Sequence, residues 1–363
     1  MHTFTYSANP SRVVFGAGTL QQVGAEIERL GVRRALVLST PEQVASARRV
    51  SDLLGDLAVG LFPHAVMHVP IETAQQARAE AQRLRADCCV AIGGGSTTGL
   101  AKAVALVSGL PVIAIPTTYA GSEMTPIWGL TEGGVKKTGR DARVLPRTVI
   151  YDPELTLGLP LRMTVTSALN AIAHAAEGLY AHDGNPIISL MAEEGIRASA
   201  AALAPLAADP RDLQARSDAL YGAWLCGTVL GSVAMGLHHK LCHTLGGSFD
   251  LLHAEVHTVI LPHAMAYNAA HAPRAMACIA RALGLGSGLG FDADASAAPG
   301  GLQALAERHG APVSLKAIGM PAEGLDRAAD LAAQNPYANP RPLERGALRA
   351  LLQRAFDGAP PVT

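Results

Sequence analysis

The stretch Cys88-Cys89-Val90-Ala91-Ile92-Gly93-Gly94-Gly95-Ser96-Thr97-Thr98-Gly99-Leu100-Ala101-Lys102 carries a compact apolar run straight into glycines and then into residues of helical composition. The apolar run predicts a buried strand over Cys88–Ile92, the glycines a tight turn, and Thr97–Val107 a helix. Such a unit can cradle a phosphate, because glycine lets the backbone approach closely and the first helical amides meet the negative charge. The spacing Gly93, Gly95, Gly99 departs from the usual dinucleotide fingerprint and sits on a late strand. Taken alone, these residues serve a structural turn equally well. A second loop favours the ligand reading. The expected strand Val112–Ile115 leads into Pro116-Thr117-Thr118-Tyr119-Ala120-Gly121-Ser122-Glu123, hydroxyls and glycine that a parallel sheet places on the same carboxyl edge, where ligands of open α/β sheets bind.

Working outward, short β-rich runs at Arg12–Phe15, Ala35–Ser39, Val59–Phe62 and Thr148–Tyr151 alternate with helical patterns. The clearest of these patterns is Thr73–Arg85, where Ala77, Ala81 and Leu84 recur at helical spacing. Strand and helix in alternation predict an α/β domain with a parallel sheet over residues 1–155. Ser39-Thr40 closes the second strand without a carboxylate to repel a 2′-phosphate, which leaves NADH and NADPH both open. Past Tyr151-Asp152-Pro153 the β signals fade. Met163–His182, Pro186–Ala208, Leu213–His243, His253–Asn268, Arg274–Leu283 and Leu302–His309 read as helices, with Val165-Thr166-Ser167 and Asn185-Pro186 as entry points. Residues 156–363 are therefore expected to form an all-helical catalytic domain. Gly284–Gly301, rich in Gly and Ala, reads as a mobile surface connection.

Composition narrows the class. Hydrophobic residues make up 49% of the 363 and charged residues 16%, a balance that supports packed cores and argues against disorder. The net charge of −1 comes without runs of one sign, so neither nucleic acid nor an anionic membrane is an expected partner. Five cysteines without metal-type pairing suit reduced thiols. No signal-peptide pattern opens the chain, and a cytoplasmic location is expected.

Seven of the 13 histidines fall between His238 and His271. Asn170 and His174 stand four apart in a helical pattern and share a face; His239 and His243 repeat the spacing, and His253 follows after a loop. One histidine on an apolar helix is more often a core residue than a ligand, but several in register point to a polar site. Three imidazoles and a carboxylate would suit Fe²⁺ or Zn²⁺. Here the fourth position is the neutral amide of Asn170, and no required metal is expected.

With these residues in view, the chain resembles the iron-containing alcohol dehydrogenases. Gly93-Gly94-Gly95-Ser96, Pro116-Thr117-Thr118 with Gly121-Ser122-Glu123, and His239, His243 and His253-Ala254-Glu255 carry the resemblance. It implies a nucleotide-binding domain facing a helical domain across a cleft, and a metal-ligand set that maps onto Asn170, His174, His239 and His253. Asn in place of Asp is similar to the maleylacetate reductase branch, which works without a metal. Gly95–Lys102, Tyr119–Pro126, Asn170–Ala175 and Asn185–Gly195 resemble that branch too. Gly99, where many relatives carry Asp, departs from the wider family in the same way.

The resemblance implies NADH- or NADPH-dependent reduction of maleylacetate, a small dicarboxylate, to 3-oxoadipate in the degradation of resorcinol-type and chlorinated aromatics, by a homodimer. Gly93, Gly94, Gly95, Ser96, Thr117, Thr118, Thr125 and Ser39 are the expected cofactor contacts. His243 and His253 are expected to stabilise the enolate and supply the proton, with His174 and His239 completing the pocket and Asn170 donating its amide N–H to substrate. Tyr119, Lys137 and Lys240 are expected to hold the substrate, with Arg140 and Arg143 in the same loop as Lys137. Lys102 is expected at the sheet edge or in solvent. A metal-dependent alcohol dehydrogenase, a lyase of the dehydroquinate synthase type and a non-catalytic nucleotide-binding module are the rival readings.

Overall fold

A computed structural model describes residues 3–9, 11–133, 135–285, 295–334 and 337–363. The chain divides into two compact units, one spanning Ala8–Leu159 and the other Pro160–Thr363 with the N-terminal residues up to Ser7.

The first unit is built on six parallel strands: β1 (Arg12–Phe15), β2 (Ala35–Leu38), β3 (Ala58–Phe62), β4 (Cys88–Gly93), β5 (Val112–Pro116) and β8 (Thr148–Tyr151), in the order β1-β8-β5-β4-β2-β3. Along β2 and β4 the side chains alternate between two cores. Leu36, Leu38, Cys89 and Ala91 pack on one face with α3 (Ile71–Arg83) and α4 (Gly95–Ser108). Val37, Val90 and Ile92 pack on the other with α1 (Val23–Arg29) and α2 (Val44–Leu54). Covered on both sides, these strands are apolar throughout, which is why they were legible as strands. A two-stranded antiparallel ribbon, β6 (Ile127–Glu132) and β7 (Val135–Arg140), was not expected. It corrects the placement of Lys137 and Arg140 in a loop. Most of β7 is exposed, so it lacks the apolar alternation that marks a half-buried strand.

The second unit is helical: α5 (Leu161–Gly178), α6 (Pro186–Ala208), α7 (Leu213–Ser232), α8 (Leu237–Phe249), α9 (His253–Asn268) and α10 (Pro273–Ala282), then helices over Ala297–Arg308, Gly324–Ala333 and Arg345–Asp357. Asn185 caps α6 as expected, its Oδ1 accepting from the amides of Ile187 and Ile188. Thr166 and Ser167, by contrast, lie inside α5 and not at its entry. Their hydroxyls donate to the carbonyls of Arg162 and Met163, one turn back. Of the expected connection Gly284–Gly301, residues 286–294 lie outside the described residues, and 297–301 begin a helix.

The single helix expected over Leu213–His243 is two helices, α7 and α8, meeting at 97°. The buried Glu177 carboxylate explains the break. It accepts from the amides of Gly236 at 3.0 Å, His238 at 2.8 Å and His239 at 3.3 Å, and so supplies acceptors for a new helix N-terminus. No single helix among the described residues is long and apolar enough to cross a membrane.

Candidate active site

In the α/β unit, β4 ends at Gly93 with φ of 154° and α4 begins at once, without a side-chain cap on its first turn. Side chains are excluded here. A Cβ on Gly93 would lie 2.3 Å from Thr97 Oγ1, and one on Gly94 3.0 Å from Thr118 Oγ1. The turn thus offers bare backbone amides at a helix N-terminus, the arrangement that takes a phosphate. Thr97 Oγ1 and Ser122 Oγ are buried with no hydrogen-bond partner, as expected of polar atoms waiting for a ligand or water. Thr117 is tied into the same turn: its amide donates to Gly93 O at 3.1 Å, and its hydroxyl accepts from Gln43 Nε2 at 2.6 Å. Ser39 is fully buried with its hydroxyl on Thr40 O.

Lys102 corrects an expectation. It is 1% exposed, and its ammonium donates to Ser122 O at 2.6 Å, Thr125 O at 2.7 Å, Ile127 O at 2.8 Å and Thr125 Oγ1 at 2.9 Å. Burial draws its pKa down, while these oxygens and the nearby Glu123 favour the charge. Lys102 therefore pins the loop that follows β5, and Thr125 serves that clamp. Tyr119, expected at the substrate, is fully buried in the same loop. Lys137 is ion-paired with Glu132, and Arg143 with Asp141.

In the helical unit α5 sets Asn170, His174 and Glu177 along one stripe, at i, i+4 and i+7. All three are buried. Glu177 Oε2 accepts from His239 Nδ1 at 2.7 Å; His174 Nδ1 lies 2.8 Å from His239 Nε2, and Asn170 Nδ2 lies 3.3 Å from His174 Nε2. Burial pushes the Glu177 carboxyl up, but the hydrogen bond and charge of His239 and the amide of His238 outweigh it and hold the pKa at about 2. An ionised Glu177 makes His239 Nδ1 a donor. Where His239 carries that proton alone, its Nε2 lone pair faces His174, which donates from Nδ1 and turns its own Nε2 lone pair to the Asn170 amide. Asn170 then gives one amide N–H to His174.

Around this chain the other imidazoles gather by ring contact. His257, on α9, lies 5.0 Å from His239, 4.7 Å from His238 and 4.2 Å from His253 between ring centroids. His253 stacks on His243 at 6.1 Å. Accessibility divides the group. His174, His239, His238 and His257 are buried, His253 is half-buried and His243 is exposed. The first set can orient and the last two can meet a substrate.

Likeness to known proteins identifies the family. Residues 10–153 match the model of the iron-containing alcohol dehydrogenases and residues 164–356 that of the C-terminal region of the same family. The chain is 70% identical to a maleylacetate reductase of Burkholderia cepacia, over 99% of this chain and 100% of the relative. Crystal structures of maleylacetate reductases from Agrobacterium tumefaciens and from Rhizobium sp. strain MTP-10005 each match with a TM-score of 0.93 at 55% identity, covering 99% of this chain and 100% of theirs. The chain belongs to the maleylacetate reductases.

As a member of the maleylacetate reductases, within the iron-containing alcohol dehydrogenase family, the chain is an oxidoreductase. Sequence reasoning found the imidazoles at 174, 239, 243 and 253 but missed Glu177, His238 and His257. Glu177 had a signal, lying in step with Asn170 and His174 on one helix. His257 had one as well, a single turn beyond His253. Lys240, expected at the substrate, has its ammonium 5.9 Å from the centre of the Tyr337 ring.

Proposed function

We propose that this maleylacetate reductase reduces the C=C bond of maleylacetate to give 3-oxoadipate, using NADH or NADPH and no resident metal, in the breakdown of resorcinol-type or chlorinated aromatics. The observation that carries the metal-independent part is the neutral Asn170 at the end of the Glu177–His239–His174 chain, its amide 3.3 Å from His174 Nε2. The family's ligand positions map onto Asn170, His174, His239 and His253. The first of those positions holds the neutral amide of Asn170 and brings no charge. That donor set does not fit a divalent cation. The Gly93–Ser96 turn does fit a nicotinamide dinucleotide, whose phosphates the α4 amides would hold; when bound, that cofactor supplies the hydride.

The protein's own groups then manage charge and proton. Hydride addition to the carbon β to the ketone sends an electron pair to the ketone oxygen. N–H groups of His253 and His243 stabilise that oxygen, each worth about 3–4 kcal/mol in the transition state. An imidazole titrating near neutrality then gives its proton to the α carbon. His239 and His174, held by Glu177, keep the pocket's rings in one tautomer. The proposal also carries a cytoplasmic homodimer, checked by light scattering. The deciding experiment adds maleylacetate and each nicotinamide to chelator-treated protein. Stoichiometric nicotinamide oxidation with formation of 3-oxoadipate is expected, and turnover that stops without a metal would overturn the reading.

A further inference from the structure

α8 turns a second set of donors inward. His238 and Cys242 stand one turn apart on it and share a face, and His257 on α9 meets them. All three are 0% exposed. His238 Nε2 lies 2.9 Å from His257 Nδ1 and 3.6 Å from Cys242 Sγ. Among the described residues this is the one group of three His, Cys or carboxylate side chains whose ligand atoms all lie within 4.8 Å of one another. Tetrahedral bonds of about 2.0–2.1 Å to nitrogen and about 2.3 Å to sulfur place two nitrogens about 3.3 Å apart and a nitrogen and sulfur about 3.6 Å apart. The His238–Cys242 edge already has the nitrogen–sulfur length, the imidazole edge needs to open by about 0.4 Å to reach its own, and the remaining edge, His257 to Cys242, is within 4.8 Å. The outer nitrogens, His238 Nδ1 and His257 Nε2, are buried without hydrogen bonds, which leaves them open to carry the ring protons when the inner nitrogens take an ion.

We propose that His238, Cys242 and His257 form a site for a thiophilic cation of the Zn²⁺ or Cu⁺ class, separate from the Asn170, His174, His239 and His253 positions. Binding breaks the hydrogen bond between the two rings, leaves each neutral ring its single proton on the outer nitrogen, and displaces the thiol proton of Cys242 to solvent. The resulting thiolate, with the Glu177 carboxylate whose field reaches both His238 and Cys242, balances a dication. Burial and Glu177 hold the thiol proton tightly, so only a cation with strong affinity for sulfur displaces it. Mg²⁺ and Ca²⁺ are excluded. The rings that move lie 5.0 and 5.3 Å from His239, so occupancy inhibits turnover; this consequence, unlike the binding itself, rests on the reductase reading.

The test titrates chelator-treated, full-length protein with Co²⁺ as a coloured stand-in and follows the sulfur-to-metal charge-transfer band. A band saturating at one ion per chain and bleached by Zn²⁺ is expected. Cys242→Ser and Cys242→Ala should lose it and weaken binding by at least roughly 100-fold, while Cys226→Ala keeps it. In turnover assays Zn²⁺ should inhibit the parent protein reversibly and spare both Cys242 variants, whose basal rate is unchanged. No band, or one that survives in the Cys242 variants, overturns the site. If the parent protein does not reduce maleylacetate at all, the functional reading fails while the spectroscopic arm still decides the binding.

Discussion

Glu177→Gln is the sharpest perturbation of the imidazole chain, because it keeps the shape of the side chain and removes its charge. Five donors converge on the carboxylate: the amides of Gly236, His238 and His239, Nδ1 of His239 and the hydroxyl of Tyr180. A glutamine offers one oxygen in place of two and turns an NH₂ toward the rest. At least two of the five donors then lose their acceptor in a fully buried place, at about 1–3 kcal/mol each. The folded state should therefore lose about 2–6 kcal/mol, plus about 0.3–1 kcal/mol as the α8 N-terminus loses its anion.

The catalytic effect is separate from the loss of stability. Where the NH₂ takes the place of Oε2, His239 keeps a hydrogen bond through Nδ1 only by accepting, so its proton moves to Nε2. That proton opposes the one on His174 Nδ1, and the conflict passes on to Asn170. With the ring tautomers reversed, kcat should fall by about 10²–10³, the equivalent of one misdirected transition-state hydrogen bond of about 2.7–4 kcal/mol. The KM for the nicotinamide should hold, because its turn lies in the other unit. The measurements are urea unfolding, steady-state kinetics on the folded fraction, and nitrogen-15 shifts of the histidine rings. A variant with parental kcat and unchanged ring shifts would refute the reasoning, whatever its stability.

Three further outcomes are expected. Asn170→Asp sets a carboxylate against the Nε2 lone pair of His174; metal-free turnover should fall by roughly 10²-fold and calorimetry should detect a gained affinity for divalent cations. Lys102→Met takes the ammonium from four oxygens, of which Ser122 O and Thr125 Oγ1 keep other donors, and should cost about 3–5 kcal/mol in urea unfolding while raising the KM for the nicotinamide as the loop after β5 loosens. Burial holds His263 neutral with its pKa pulled down to about 4. The unfolded chain takes up that proton first, so stability should fall as pH drops from about 6.5 towards 4, by about 1.4 kcal/mol per unit for this group; His263→Gln should flatten the slope by that share in urea unfolding followed across pH.

How legible each part was depends on where its physical cause lies in the chain. The parallel strands could be read because burial on both faces makes each a continuous apolar run, and Cys88–Gly93 announces itself without help from any neighbour. The ribbon β6–β7 could not, since its second strand is mostly solvent-facing and mixes Lys, Thr and Gly. The break between α7 and α8 was hidden for a different reason. Apolar periodicity runs on through Val233, and the group that forces a new helix start, Glu177, is 59 residues upstream of Gly236. Lys102 misled for the same reason: nothing nearby in sequence announces the four oxygens that let an ammonium be buried. Histidine spacing located the site, but which nitrogen faces which depends on a carboxylate read only as part of a helix.

Charge accounting joins these observations. A stripe of Asn170, His174 and Glu177 carries one negative charge into the helical core, and the protein neutralises it with the amides that open α8 and with the Nδ1 proton of His239. A second carboxylate at position 170, one turn from His174, would need a cation, because the backbone donors nearby are already taken by Glu177. The amide removes that need and fills the lone pair of His174 with a proton donor. Asn170 and the bent start of α8 are therefore two halves of one arrangement, in which a helix terminus balances the charge and a neutral side chain ends the wire. On the proposed reading, the exposed His243 and the half-buried His253 are the rings of this cluster left to meet substrate.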